Sequence, residues 1–108
     1  MKKLNLSDFT KWWFIWDFEP SLQKTQDFDV AVKTYKKLDK EERHFHKIAT
    51  EYTVINNWKF RMWDDILWPW DLMVIYPNDA TDFECLEDWS NTVVKIPCVK
   101  GDKYIVNE

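Results

Sequence analysis

Glycine is nearly absent from this chain, with Gly101 alone among 108 residues. Phosphate-cradling loops and dinucleotide fingerprints need several glycines for tight turns and close backbone approach, so nucleotide-dependent enzymes built on those motifs are excluded in their usual form. Long apolar runs are missing too. The longest, Trp12-Trp13-Phe14-Ile15-Trp16, falls far short of the roughly 20 residues of a membrane-spanning helix. After Met1-Lys2-Lys3, Asp8 and Lys11 interrupt the stretch where a signal peptide would carry about 7–15 apolar residues. The expectation is a cytoplasmic, intracellular protein with no membrane contact. Cysteine is scarce: Cys85 and Cys98 lack C-x-x-C spacing and are expected as free, buried thiols. Positive charge vanishes between Asp64 and Asp88, where eight acids stand without a single Lys or Arg.

Tryptophan, by contrast, is abundant. Eight Trp stand beside seven Phe and four Tyr, and each such ring can bury roughly 150–250 Å². Hydrophobic residues make up 45% and charged residues 31%, the balance of a globular chain, and the length suits one domain over 1–108. Net charge is −4, with +2 in residues 1–50 and −6 in residues 51–108. The basic stretch Lys33 to Lys47 reads as a solvated helix face, and without an overall basic excess a nucleic-acid partner is not expected.

Periodicity predicts helices in the first half. Ser7 is a good N-cap ahead of Phe9, Trp12, Trp13 and Trp16 at helical spacing, which predicts a helix over 8–18, a buried strand from Trp12 to Phe18 being the competing reading. Phe28, Ala31, Val32, Tyr35 and Leu38 form an amphipathic stripe over 27–38, with Lys33, Lys36 and Lys37 turned outward. Asp39 with Glu42 reads as a capping box for a helix over 40–52, and Thr81 with Glu84 as another for a helix over 82–89. Alternating Trp58-Lys59-Phe60-Arg61-Met62 predicts a strand over 58–62, although a continued helix competes for 52–63. Further strands are expected at 72–76, 92–97 and 103–106. The terminal pair is closed by Gly101 at a turn that favours positive φ. The class is therefore read as α+β with a small antiparallel sheet in the C-terminal half. Its expected core comprises Phe28, Ala31, Tyr35, Phe45, Ile48, Val74, Tyr76, Phe83, Leu86 and Val94.

Catalytic signals are few. His44 and His46 stand two apart, a spacing that shares a face on a strand but not on a helix, so the helical reading of 40–52 argues against metal chelation. No serine lies in a nucleophile elbow, and adjacent acids such as Asp64 and Asp65 suit turns better than acid–base pairs. The chain is accordingly expected to be no enzyme and to need no cofactor or metal. Its expected binding surface is the acidic, Trp-rich segment of Trp63, Asp64, Asp65, Trp68, Trp70, Asp71, Asp82, Glu84, Glu87, Asp88 and Trp89, which would steer to a basic protein surface and dock on aromatic anchors. That is the composition of a small phage-type inhibitor or accessory protein. The alternatives are a subunit of a virion or multiprotein complex, with homo-oligomerisation allowed, and a small-ligand receptor using a Trp stacking cage.

Overall fold

The computed structural model describes residues 1–57 and 59–106; Trp58, with which one expected strand began, and the side chains of Phe60 and Trp89 lie outside the described residues. Two short 3-10 turns, Leu6–Asp8 and Thr10–Trp12, lead into ten strands. These are β1 (Trp13–Ile15), β2 (Asp29–Tyr35), β3 (Lys40–Phe45), β4 (Thr50–Ile55), β5 (Phe60–Met62), β6 (Asp65–Leu67), β7 (Leu72–Ile75), β8 (Thr81–Cys85), β9 (Trp89–Ile96) and β10 (Tyr104–Ile105). They form two five-stranded sheets, β1-β2-β9-β4-β7 and β10-β3-β8-β5-β6, in which every strand pairing is antiparallel. Successive strands from β2 onward alternate or step between the sheets in the manner of a jelly roll.

The α+β expectation is thereby overturned. Where helices were expected over 27–38, 40–52 and 82–89 the chain runs as β2, as β3 with β4, and as β8 into β9, and 8–18 holds a 3-10 turn and β1. The stripe from Phe28 to Leu38 misled because β2 carries apolar side chains on both faces. Asp29, Ala31, Lys33 and Tyr35 point between the sheets while Val30 and Val32 point out, so Lys33 faces the interior rather than solvent. The supposed caps have other work. Asp39 closes a turn, its Oδ2 accepting the Lys36 N–H at 2.8 Å while its own N–H donates to the Lys36 carbonyl at 2.9 Å. Thr81 opens β8. The strands expected at 72–76, 92–97 and 103–106 correspond to β7, β9 and β10, and β5 occupies the second half of 58–62, but the expected terminal pairing is not made: β9 and β10 lie in different sheets and β10 pairs with β3.

The apolar core is split. Ile55, Met62, Leu67, Ile75, Phe83 and Cys85 fill the space between the sheets at one end, and Trp13, Ala31 and Val93 form a smaller cluster. Of the expected core, Ala31 and Phe83 are buried, whereas Ile48 and Tyr76 are 56% and 61% exposed. The other six are half-buried. Phe45 stacks on Tyr104 with ring centroids 5.4 Å apart. Cys85 and Cys98 are separate buried thiols. No helix among the described residues is long and apolar enough to cross a membrane.

Candidate functional site

The other end of the interior is polar. Register aligns Asp29 of β2 with Lys95 of β9, and Lys95 with Glu51 of β4, so three charged side chains sit side by side across adjacent strands and point inward. Lys95 Nζ lies 3.4 Å from Asp29 Oδ2. On the facing sheet, β3 presents Glu41, His44 and, just past its end, His46. Glu41 and His44 are an odd number of positions apart and would ordinarily face opposite ways. A bulge corrects this: Glu41 pairs with Phe83 and His44 with Thr81, so β3 spends one extra residue against β8.

These groups line an open cleft of about 390 Å³, within the size range of small-molecule sites. At its inner end is a pocket of about 30 Å³, room for roughly one water molecule. Lys33, Glu41, His44, His46 and Glu51 border both.

The two imidazoles are each fixed by a main-chain carbonyl. His44 Nδ1 meets the Glu42 carbonyl at 2.8 Å and His46 Nδ1 meets that of Asp102 at 2.5 Å. A carbonyl only accepts, so each Nδ1 carries a hydrogen and Nε2 is the nitrogen left for chemistry. His46 is buried and its Nε2 has no hydrogen-bond partner, though Glu51 Oε1 lies 3.5 Å away. The rings stand edge to face with centroids 5.5 Å apart. Behind them, Asp102 straps the β3–β4 turn: its carboxylate accepts the N–H groups of Lys47, Ile48 and Ala49 at 2.9, 3.1 and 2.9 Å.

Burial disfavours the charged form of Glu51, but the facing His46 ring, the hydrogen bond from the Thr53 hydroxyl and the charge of Lys95 outweigh it and hold the carboxyl at about 2. Burial pushes His44 below the usual imidazole range, against the pull of the Glu42 carbonyl, and so keeps it neutral. It lowers Lys33 likewise, and it raises Asp29 against the opposing charge of Lys95.

The expected acidic, Trp-rich segment lies elsewhere. Asp64 and Asp65 sit exposed at the β5–β6 turn, and Asp82 and Glu84 alternate outward from buried Phe83 and Cys85 on β8. Trp63, Trp68 and Trp70 are 46%, 53% and 79% exposed; the Trp89 side chain lies outside the described residues. The acids are not left without counterparts. Arg61 pairs with Asp82 at 3.2 Å and Lys40 with Glu84 at 3.1 Å. Asp71 accepts the Trp68 N–H at 2.9 Å and Asp88 that of Lys37 at 2.8 Å. Glu87 is exposed and offers its carbonyl to the Cys85 thiol. Cations also reach the rings, Arg43 over Trp63 and Lys59 over Trp68.

His44-x-His46 was visible in the sequence and was set aside only because 40–52 read as helix. As a strand, the same spacing brings both rings into one cavity. Two imidazoles and a carboxylate are the donor types a divalent transition metal takes, and the orphaned His46 Nε2 suits such an ion. Among the described residues, however, no three His, Cys, Asp or Glu side chains are gathered at metal-holding separations.

No family model and no curated protein matches this sequence. Solved structures match its fold. DMSP lyase DddQ from Ruegeria pomeroyi DSS-3 superposes with a TM-score of 0.74 at 12% identity, over 87% of this chain and 49% of the lyase. A sugar phosphate isomerase from a cupin superfamily, from Silicibacter pomeroyi DSS-3, gives 0.60 at 19% identity over 65% of this chain and 50% of its own. An uncharacterized conserved protein with a double-stranded beta-helix domain from Klebsiella pneumoniae gives 0.73 at 12% identity, over 99% of this chain and 93% of that one. The chain thus spans about half the length of the isomerase and the lyase. Its fold is that of the cupins, the double-stranded β-helix. This fold corrects the expectation of a non-enzymatic phage-type inhibitor or assembly subunit. The finding against that reading is the interior, which holds a ligand-sized cleft lined by ionisable groups.

Proposed function

We propose that the chain is an enzyme acting on a small polar molecule in the cleft by proton transfer, with His46 and Glu51 as the acid pair and His44 as the base. The arrangement of His46 carries this reading. Its Nδ1–H is committed to the Asp102 carbonyl, so a neutral His46 would turn the Nε2 lone pair toward the Glu51 carboxylate at 3.5 Å. Such a contact is repulsive unless something positive is shared there. A proton on Nε2 makes it an imidazolium–carboxylate pair. His44, held neutral by burial, keeps its Nε2 as an acceptor a ring's width away. Two titratable groups kept in opposite protonation states beside one cavity supply an acid and a base for the same substrate. The reaction class is abstraction of a proton next to a carbonyl or carboxylate with return of a proton nearby, as in isomerisation or elimination.

The test is nitrogen NMR of the histidine rings. Expected is a His46 protonated on both nitrogens beside a neutral His44 at neutral pH, with the second His46 proton lost in Glu51→Gln. A His46 that is neutral at that pH would overturn the reading.

A further inference from the structure

Resting on the cleft being a ligand site, we infer the chemical class of its ligand: a small polyhydroxylated carboxylate, a sugar acid, with Lys33 and Lys95 receiving the carboxylate, Asp29 accepting a hydroxyl, and Trp16 lying against the carbon face.

Each part follows from something the protein alone leaves incomplete. The Lys33 and Lys95 ammonium groups stand over one indole, that of Trp13, at 5.0 and 4.8 Å from its centre. The carboxylates they pair with, Glu41 at 3.8 Å from Lys33 and Asp29 at 3.4 Å from Lys95, make long contacts for groups with three donors each. Two ammonium groups converging in a partly desolvated wall, their side chains 20% and 19% exposed, repel one another until an anion lies between them. Asp29 is 4% exposed, borders the cleft, and its Oδ1 has no hydrogen-bond partner. A buried carboxylate oxygen with nothing donating to it is costly, and a ligand hydroxyl supplies the donor.

The remaining wall is aromatic. Trp16 stacks on Trp13 at 6.1 Å and packs with Phe18 at 4.8 Å, and its Nε1–H is already taken by the Pro20 carbonyl at 3.0 Å. The ring borders the cleft and so offers it apolar surface rather than a hydrogen bond. A fat or an aromatic hydrocarbon would leave the lysines and Asp29 unanswered, and a simple carboxylate would leave Asp29 and the ring unused. A ring with hydroxyls on its edge, C–H groups on its face and one acid group uses all three.

D-glucuronate is the probe, with D-glucose and acetate as comparators, read by calorimetry and tryptophan emission on the whole chain. Saturable glucuronate binding is expected, with both comparators at least about tenfold weaker, as for loss of one charge-assisted hydrogen bond, and with binding that weakens as salt rises. Lys95→Met should weaken glucuronate by a similar factor while leaving glucose where it was, and Asp29→Asn should weaken both sugars but not acetate. Circular dichroism checks that the variants fold; should Lys95→Met not fold, the glucuronate-to-glucose ratio and the salt dependence of the unaltered chain decide. Equal affinity for glucuronate and glucose, or no saturable binding of either, overturns the inference. The His46 nitrogen signals, recorded on the same samples, separate the two readings. A protonated His46 without preference for glucuronate sinks only the ligand class, and glucuronate preference with a neutral His46 sinks only the acid–base assignment.

Discussion

The Asp102 carboxylate gathers three successive backbone N–H groups at the turn that leads from His46 to Glu51, and its carbonyl fixes His46 Nδ1. Such bonds hold the carboxyl below its usual range in spite of burial, which pushes the other way. Removing the acceptor strands three donors at once. Asp102→Ala should therefore cost on the order of 3 kcal/mol, since one buried unsatisfied group costs about 1–3 kcal/mol and the opened turn admits some water. Urea titration would measure it, and an unchanged midpoint would mean that the strap is not formed. Glu51 gives a second expectation. Its carboxyl is held at about 2, below the ordinary 4.5, so its contribution is present above pH about 4.5 and is lost as pH falls from there to about 2. The contribution is on the order of 3 kcal/mol. Asp102 acts in the same direction, whereas Asp29, raised by burial, opposes it. Unfolding free energies measured from pH 6 to 2 should show this loss in the native chain and a shallower slope in Glu51→Gln.

Turns between strands explain both what was legible and what was not. Gly101 adopts φ 72°, and no atom lies within 4 Å of where its Cβ would be, so backbone conformation alone calls for glycine. Gly101→Ala should cost about 1 kcal/mol, visible as a melting point a few degrees lower. Trp70 holds φ 72° while 79% exposed, a conformation that Asn tolerates better. Its N–H bond to the Ile55 carbonyl at 2.8 Å does not depend on the side chain. Trp70→Asn is thus expected to leave the melting temperature unchanged or raise it slightly; a clear fall would reveal packing by the indole. The sequence showed the turn at Gly101 and the strands β7, β9 and β10, where β-branched residues cluster between breakers. It hid β2 and β3 because a polar interior breaks the apolar-in, polar-out rhythm, and β8 because Thr81 and Glu84 mimic a capping box. On β2 the inward residues are Asp29, Ala31, Lys33 and Tyr35, and on β3 the bulge shifts the phase between Glu41 and His44. The candidate site suffered for the same reason. His44-x-His46 was read on the right residues with the wrong period, and nothing local announces that Asp29, Lys33, Lys95 and Asp102 converge from distant parts of the chain.

At the scale of the whole molecule the interior divides into an apolar end around Ile55, Phe83 and Cys85 and a polar end around Lys33, His46 and Glu51. Stability resides in the first, and the proposed chemistry in the second. Phe83→Ala should accordingly cost about 3–5 kcal/mol, the usual loss for a buried Phe, while Phe45→Ala, which loses a half-buried stack on Tyr104, should cost about 1 kcal/mol. Denaturant melts of the pair would show the contrast, and similar losses would contradict the division. The order of strands has a further consequence. β9 sits between β2 and β4 in the first sheet, yet follows both in sequence by a long interval. Until it arrives, β2 and β4 each present an unpaired edge toward the gap it will fill, the kind of edge that captures strands from other chains. Refolding should therefore be slow for so small a domain, in the millisecond-to-second range of non-local β topologies. Its yield should fall as protein concentration rises, because a neighbouring molecule's strand competes for the place that β9 is late to take.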